Sequence, residues 1–228
     1  MKSQNKFNGN TNLLFDEEFQ REYQYTGVIG YLNRMQHRYL SPHEMRHKNV
    51  VLEIGPSYEP HCKHVFLNFQ EYHCIDTNNS ADLNQYFKDN FKKVNFHVYD
   101  GKNIPFEKET FDRIIISHCL EHVNDPETFI NEMFRVLKKD GIISIALPCD
   151  NGFLWRMGRY ILKKTFLRKK GFDELDYNYQ MAIEHKNTIF QLIAIFRKRL
   201  IIKKEIFLPF RIKSPDLNLY YVCQITKK

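Results

Sequence analysis

Paired cysteines are missing from this chain. Its five cysteines (Cys62, Cys74, Cys119, Cys149 and Cys223) are odd in number, and no two stand in a Cys-x-x-Cys pair. That excludes a disulfide framework and a cysteine-built zinc site. Long apolar runs are missing too. Stretches such as Ile142 to Leu147 are far too short to span a bilayer. The opening residues, Met1-Lys2-Ser3-Gln4-Asn5-Lys6, lead into polar sequence and not into an apolar segment, so no secretory signal is read there. Together these absences point to a reducing cytoplasm.

What is present fits one soluble domain over residues 1–228, long enough to bury a proper core. The formal net charge of +7 favours anionic partners: phosphates, nucleic acid or an acidic membrane surface. It is equally the mark of a Lys-rich soluble chain until the charge is located.

Residues 1 to about 12 read as a polar tail. From Leu13 to Leu40, Phe15, Phe19 and Tyr23, then Val28, Tyr31, Leu32 and Met35, fall at helical spacing. Tail and helices make an N-terminal cap over residues 1–45. A regular alternation follows. Val50–Ile54, Tyr72–Asp76, Val94–Tyr99, Phe111–Ser117 and Ile142–Leu147 read as strands. A helix from Asp82 to Phe91, capped by Asp82, and a second opened by Asp125-Pro126 and closed by Lys138-Lys139-Asp140-Gly141, lie between them. Strands alternating with helices imply an α/β fold with a parallel sheet covered on both faces. Residues 150–184 break the rhythm with a basic, aromatic insert. The rhythm resumes with a helix from about His185 to Arg199 and strands over Leu200–Leu208 and Leu217–Thr226. Their connection is too short for a crossover, so these two strands should be antiparallel neighbours.

Open parallel sheets bind ligands at the carboxyl ends of their strands. Three such ends carry suitable chemistry. Glu53-Ile54-Gly55-Pro56-Ser57 offers a turn where glycine lets the backbone approach a ligand. Asp76 offers an acceptor for paired ribose hydroxyls. Asp100-Gly101 offers a carboxylate for an adenine amino group, with Ile104-Pro105-Phe106 to sandwich the ring.

On these residues, and on Phe111–Ser117, Leu120-Glu121-His122-Val123 and Arg135–Gly141, the stretch Val50 to Pro148 resembles the class I S-adenosylmethionine-dependent methyltransferases, in particular the group called type 11. The resemblance implies a Rossmann-like, doubly wound sheet of seven strands, mostly parallel, with the last strand antiparallel. It also implies S-adenosylmethionine as the cofactor, held by Glu53, Gly55, Pro56, Ser57, Asp76, Asp100, Gly101, Ser117 and His118. One departure stands out. The family's turn reads Glu-x-Gly-x-Gly-x-Gly, and here Ser57 and Glu59 occupy the later glycine positions, so the turn should be less open. A nicotinamide-dinucleotide enzyme is the alternative. It needs Gly-x-Gly-x-x-Gly, which is absent, and Glu59 would repel its pyrophosphate.

His118-Cys119-Leu120-Glu121-His122 has the spacing of an inverted zinc-protease motif, but it follows the fourth strand of a sheet. Some relatives bind a divalent metal at this place, with His118, Glu121, His122 and His185 as the matching ligands here. The competing reading is that Glu121-His122 packs without metal, and it is preferred because His118 replaces a carboxylate. Phe153 to Lys170 reads as a basic amphipathic helix over the mouth of the site, placing Trp155, Arg156 and Arg159 against an acceptor. Its equal alternative is a surface helix packed on the domain with solvated charges.

The expected reaction is methyl transfer to a hydroxyl, with His185, His118 or His122 as the base. The expected acceptor is a small molecule or a glycan precursor in surface polysaccharide biosynthesis, phosphorylated or membrane-associated, with the enzyme cytoplasmic or peripheral at the inner membrane face. The polysaccharide link is family analogy. An RNA methyltransferase, a metal-dependent O-methyltransferase and a non-catalytic binding module are the alternatives. Nucleic acid is not favoured, and nothing in the sequence fixes the oligomeric state.

Overall fold

Runs of β-branched residues dominate the strands that end up central. Val51, Leu52 and Ile54 of β1 (Asn49–Ile54) and Ile114, Ile115 and Ile116 of β4 (Phe111–Ser117) are fully buried. A strand covered on both faces needs no polar alternation. The computed structural model describes residues 25–41, 49–65, 68–170 and 174–227, and the side chains of 162–170, 176 and 180 are outside that description. Among the described residues the remaining strands are β2 (Phe69–Asp76), β3 (Val94–Val98), β5 (Leu137–Pro148), β6 (Ile201–Leu208) and β7 (Tyr220–Thr226). They form a seven-stranded sheet in the order β3-β2-β1-β4-β5-β7-β6. β1 to β5 pair in parallel, while β7 runs antiparallel to both β5 and β6. The strand order reverses between β1 and β4, which opens a crevice at their carboxyl ends.

The helices are α1 (Gly27–Leu40), α2 (His61–His64), α3 (Ala81–Asn90), α4 (Pro126–Val136), α5 (Phe153–Lys170), α6 (Glu174–Glu184) and α7 (Ile189–Arg199). The expected tail and the first half of the N-terminal cap lie outside the described residues. α4 starts as the sequence implies: Asp125 accepts from Thr128 N at 3.0 Å, and Pro126 fills the first turn. Such a cap contributes about 1 kcal/mol.

Several boundaries differ from the sequence reading. Ser80, not Asp82, caps α3, because its hydroxyl reaches Leu83 N at 3.2 Å. α4 stops at Val136, and β5 takes Leu137 to Gly141 into the sheet. A short 3-10 turn over Pro215–Leu217 delays β7 to Tyr220. Thr188 and Gln191 form a capping box, so α7 starts at Ile189 and His185 stands in the linker before it.

Arg113 does not fit the apolar pattern of β4, yet it is 2% exposed. Its Nη2 donates to Leu40 O at 2.6 Å, at the carboxyl end of α1, and its Nε reaches Ser144 Oγ at 3.4 Å. One buried guanidinium thus satisfies an end carbonyl of the cap helix and fastens that helix over the sheet.

Candidate active site

Most of the positive-φ non-glycine residues among the described ones lie at the carboxyl edge of the sheet. Ser57, His118 and Asn151 follow β1, β4 and β5, and all three have positive φ: 46°, 51° and 70°. Non-glycine residues hold that conformation at a cost of order 1–3 kcal/mol each, and such residues cluster at functional sites. Ser57 also answers the missing glycine. With Gly55 at φ 67°, the turn keeps the left-handed backbone expected of its glycines although a side chain is present.

Asp76 ties this turn to β2. Its Oδ2 accepts from Ser57 N at 3.1 Å and its Oδ1 from Asn78 N at 2.9 Å. Burial raises its carboxyl above the ordinary range, and the N–H bonds from Asn78, Ser57 and Thr77 oppose the rise. A carboxylate has about four lone-pair sites, so with three N–H groups on it about one remains for a ligand hydroxyl. Asp100 is solvent-exposed and caps its own loop, accepting from Lys102 N, Asn103 N and Asn103 Nδ2 at 2.8, 2.7 and 3.0 Å. Gly101 stands beside it at φ 76°. Ser117 is the last residue of β4, and Pro56 is buried in the turn.

Three expected cofactor contacts are placed differently. Glu53 is 2% exposed, with His61 N donating to both of its oxygens at 2.8 and 3.0 Å and Tyr72 OH donating at 2.6 Å. Burial raises its carboxyl to about 7. Its oxygens are spent on the protein, so it shapes the turn from beneath. Ile104 sits in the core at 2% exposure. Phe106 packs edge-on against His73, His97 and Phe111, not over the turn. Arg135 holds both carbonyls, Ile104 O and Phe106 O, at 2.9 Å. The apolar sandwich is therefore part of the fold.

The cap helix reaches the same edge. Gln36 of α1 bonds His118 Nε2 through its carboxamide at 2.7–2.9 Å. Burial pushes His118 down to about 3, and the charges of His122 and His185 add to it. With its Nε2 engaged and its basicity lost, His118 is a poor proton acceptor. Gln36 had no role in the sequence reading, since a glutamine in an amphipathic helix carries no signal.

His122 Nδ1 donates to Glu184 O at 2.9 Å. Its ring meets His185 edge-on at 4.9 Å. Glu121 lies between the two histidines, with Oε1 at 3.9 Å from His118 Nδ1 and from His122 Nε2. Burial raises its carboxyl to about 7, and its buried Oε2 has no partner among the described residues. Among the described residues no group of three His, Cys, Asp or Glu side chains is disposed to hold a metal ion. The set His118, Glu121, His122 and His185 is not gathered on one point.

His185 differs from the other histidines. Its Nδ1 donates to Asp150 Oδ2, and no hydrogen bond involves its Nε2 among the described residues. Burial alone would raise the Asp150 carboxyl. The His185 bond, the charges of His185 and Arg159, and Asn151 N outweigh it and hold the carboxyl below its ordinary range. The linker is pinned as well. Lys186 N and Asn187 N both donate to Glu121 O, and Asn187 Nδ2 donates to Val123 O at 2.6 Å. His185 lines a cleft of about 320 Å³ with Asp150, Asn151, Arg159, Asn178 and Asn187.

Of the expected acceptor residues, Arg159 alone lines this cleft, 3.3 Å from Asp150 and over the Tyr177 ring at 5.8 Å. Trp155 packs edge-on against Tyr220, and Arg156 faces solvent. Asp150 went unassigned in the sequence, although it closely follows the carboxyl end of β5 and the rule of strand ends applies to it.

A buried histidine pair locks the cap to the turn. His37 Nδ1 of α1 meets His61 Nδ1 of α2 at 3.0 Å, and His61 Nε2 meets Ser41 Oγ at 3.2 Å. Burial holds both rings well below the ordinary histidine range. The charges of His64 and His118 add to this at His37, and those of Arg113, His37 and His64 at His61. A histidine depressed in the folded state contributes stability that is full above its unfolded pKa, about 6.5, and is lost as pH falls below it. The melting temperature should therefore drop between pH 7 and pH 5. His37→Gln together with His61→Gln should flatten that slope. An equally steep fall in the double variant would take the pair out of the explanation.

With this geometry in view, residues 52–145 match the family described as a methyltransferase domain. The chain is 34% identical over 87 residues to norajmaline N-methyltransferase of Rauvolfia serpentina, covering 38% of this chain and 28% of that protein. It is 39% identical over 51 residues to demethylmenaquinone methyltransferase of Streptomyces griseus, covering 22% of each. The chain thus spans less than a third of these relatives' length. A solved structure from Thermotoga maritima, described as an S-adenosylmethionine-dependent methyltransferase and possible histamine N-methyltransferase, superposes with a TM-score of 0.56 at 19% identity, covering 87% of this chain and 89% of its own. Phosphoethanolamine N-methyltransferase 2 of Haemonchus contortus, solved with S-adenosylmethionine, gives 0.58 at 14% identity, covering 92% and 59%. At these identities the two structures speak for the fold.

Proposed function

We propose, from the match of residues 52–145 to a methyltransferase domain, that the chain acts as a class I S-adenosylmethionine-dependent methyltransferase and methylates a hydroxyl of a small polar acceptor seated in the His185 cleft. The observation that carries this is the His185–Asp150 pair lining a cleft at the strained carboxyl edge of the sheet.

The residues present fit the family's cofactor. The left-handed turn at Gly55 and Ser57 brings backbone close, Asp76 keeps spare acceptor capacity for a hydroxyl, and Glu121 Oε2, unpartnered among the described residues, suits a cationic ligand. Bound there, the cofactor supplies an electrophilic methyl carbon on a sulfonium. The chain's own residues do the rest. The acceptor must be held with its attacking oxygen about 3 Å from the methyl carbon. A hydroxyl is a weak nucleophile until its proton leaves, and His185 Nε2 is the acceptor for that proton. Asp150 fixes the tautomer that leaves this nitrogen bare and then stabilises the imidazolium.

For the acceptor class we propose a sugar hydroxyl in a surface glycan precursor. Asn151, Asn178, Asn187 and Thr188 line the cleft with donors and acceptors in the mix that polyhydroxyl compounds require. A neutral amine attacks without prior deprotonation, so an N-methyl acceptor would leave a carboxylate-held base without a task before transfer. Calorimetric titration with S-adenosylmethionine and S-adenosylhomocysteine should show binding of both. Labelled methyl should then pass to nucleotide-linked sugars and not to matched amines. No cofactor binding would remove the enzymatic reading, and transfer confined to amines would move the acceptor class.

A further inference from the structure

Helix α5 turns its apolar face outward. Phe153, Met157, Tyr160 and Ile161 recur at the spacing that puts them on one side of a helix. They remain 56%, 44%, 66% and 62% exposed. On α6 the same pattern recurs: Leu175, Tyr179 and Ile183 keep 77%, 54% and 43% of their surface. The β6–β7 loop adds Phe210 and Ile212, at 60% and 49%. That loop continues into the Pro215–Leu217 turn, which is seated against the start of α5, where Asp216 accepts from Phe153 N at 3.1 Å. Arg159 of α5 stacks on Tyr177 of α6. Scattered exposed apolar residues are ordinary, but a band across two helices and a loop is not.

The charge of the two helices under this band is mainly positive. α5 has no Asp or Glu and seven Lys or Arg between Arg156 and Lys170, as many as the net charge of the whole chain. α6 brings three acids, Glu174, Asp176 and Glu184, and no Lys or Arg, which leaves the two helices together net positive; Asp216 is engaged on Phe153 N and Asp150 on His185 and Arg159. We propose that this face docks on an anionic lipid surface, with the aromatic and aliphatic side chains among the acyl chains and the cations at the head groups. That combination is what holds an amphipathic helix in the interface plane. Among the described residues no helix is long and apolar enough to cross a membrane, so the docking is to the surface. A second copy of this chain would set the seven cations of α5 against only the three acids of α6. A nucleic acid would answer the charge but leave Phe153 and Met157 in water. Asn151 and Arg159 line the cleft beside this face, so an acceptor anchored in the bilayer would enter from it. The docking proposal does not depend on the methyl-transfer reading.

Flotation of the full chain with vesicles tests it. The protein should float with vesicles containing phosphatidylglycerol, far less with phosphatidylcholine alone, and less as salt rises. Phe153→Ser with Met157→Ser, at exposed positions that leave the circular dichroism spectrum unchanged, should lower partition about tenfold or more. Arg156→Glu should weaken it in the anionic vesicles only. Failure to float with anionic vesicles overturns the proposal, and so does equal flotation of the serine double variant. Sedimentation showing a dimer that the serine variant dissolves would assign the face to a second copy. Tighter binding to a single-stranded RNA than to anionic vesicles, unaffected by the serine changes, would assign it to nucleic acid.

Discussion

His185→Ala should lower kcat by about 10²–10⁴-fold, the range a positioned proton acceptor supplies, while cofactor affinity stays within twofold or so. The geometry makes that separation sharp. His185 lies on the acceptor side of the edge, in the linker pinned to Glu121 O, and among the described residues hydrogen-bonds neither to the Gly55 turn nor to Asp76. The variant should also fold, since Asp150 keeps Arg159 and Asn151 N as partners. Asp150→Asn should act through His185. An amide can present its NH₂ to Nδ1, favouring the tautomer with the proton on Nε2, where it is useless for accepting another. Its kcat should fall while the acceptor's KM moves little, and the acid limb of the pH–rate profile should shift. A merely structural Asp150 would lower the melting temperature and leave that limb in place. The metal alternative makes a different forecast: loss of activity in a chelator and its return with a divalent ion. A fully active His185→Ala enzyme resistant to chelator would leave alignment as the source of catalysis.

The parts of this molecule that were legible in the sequence are those written in periodicity. Val50 to Ile54 and Ile114 to Ile116 read as buried strands because strands covered on both faces carry no polar alternation. The antiparallel β6–β7 pair followed from a connection too short for a crossover. Asp125-Pro126 announced α4 because a cap and a fixed φ are local properties. What stayed hidden depends on contacts far apart in the chain. Arg113 breaks an apolar strand, and its partners Leu40 O and Ser144 Oγ lie far off in the chain. Gln36 and His118 are eighty-two positions apart. Glu53 looked like a ligand acid because it sits at a strand end, but Tyr72 and the His61 N–H claim its oxygens first. Asp150 and His185 are separated by the whole insert, so neither predicts the other. Within the insert, spacing found the amphipathic helix, yet spacing cannot say which face turns inward. Trp155 went in against Tyr220, and the stripe expected to pack or to cover the site went out.

Asp76→Ala should weaken S-adenosylmethionine by about 1.5–3 kcal/mol, roughly 10–100-fold in Kd, the scale for losing a charged hydrogen-bond acceptor. Gly55→Val does not serve as a companion test. A Cβ at Gly55 would meet Cys119 Sγ at 3.0 Å and Cys119 Cβ at 3.2 Å, and φ there is +67°. A β-branched residue in that conformation is strained whatever binds nearby, so lost affinity would not distinguish a blocked ligand from a broken turn. Asp76 allows the distinction. Its carboxylate serves Ser57 N and Asn78 N, and removing it exposes two backbone donors to water at a partly open edge. Asp76→Asn keeps one oxygen for those donors and gives up the charge and half the acceptor capacity. If the carboxylate binds the ribose hydroxyls, both variants lose affinity, and Asp76→Asn does so with the smaller fall in melting temperature. If Asp76 only staples the turn, Asp76→Asn binds cofactor as the parent does, and the affinity of Asp76→Ala falls only as far as its stability falls. Calorimetric Kd values set beside melting temperatures for the two variants separate these outcomes, because a staple links affinity to stability and a ligand contact does not.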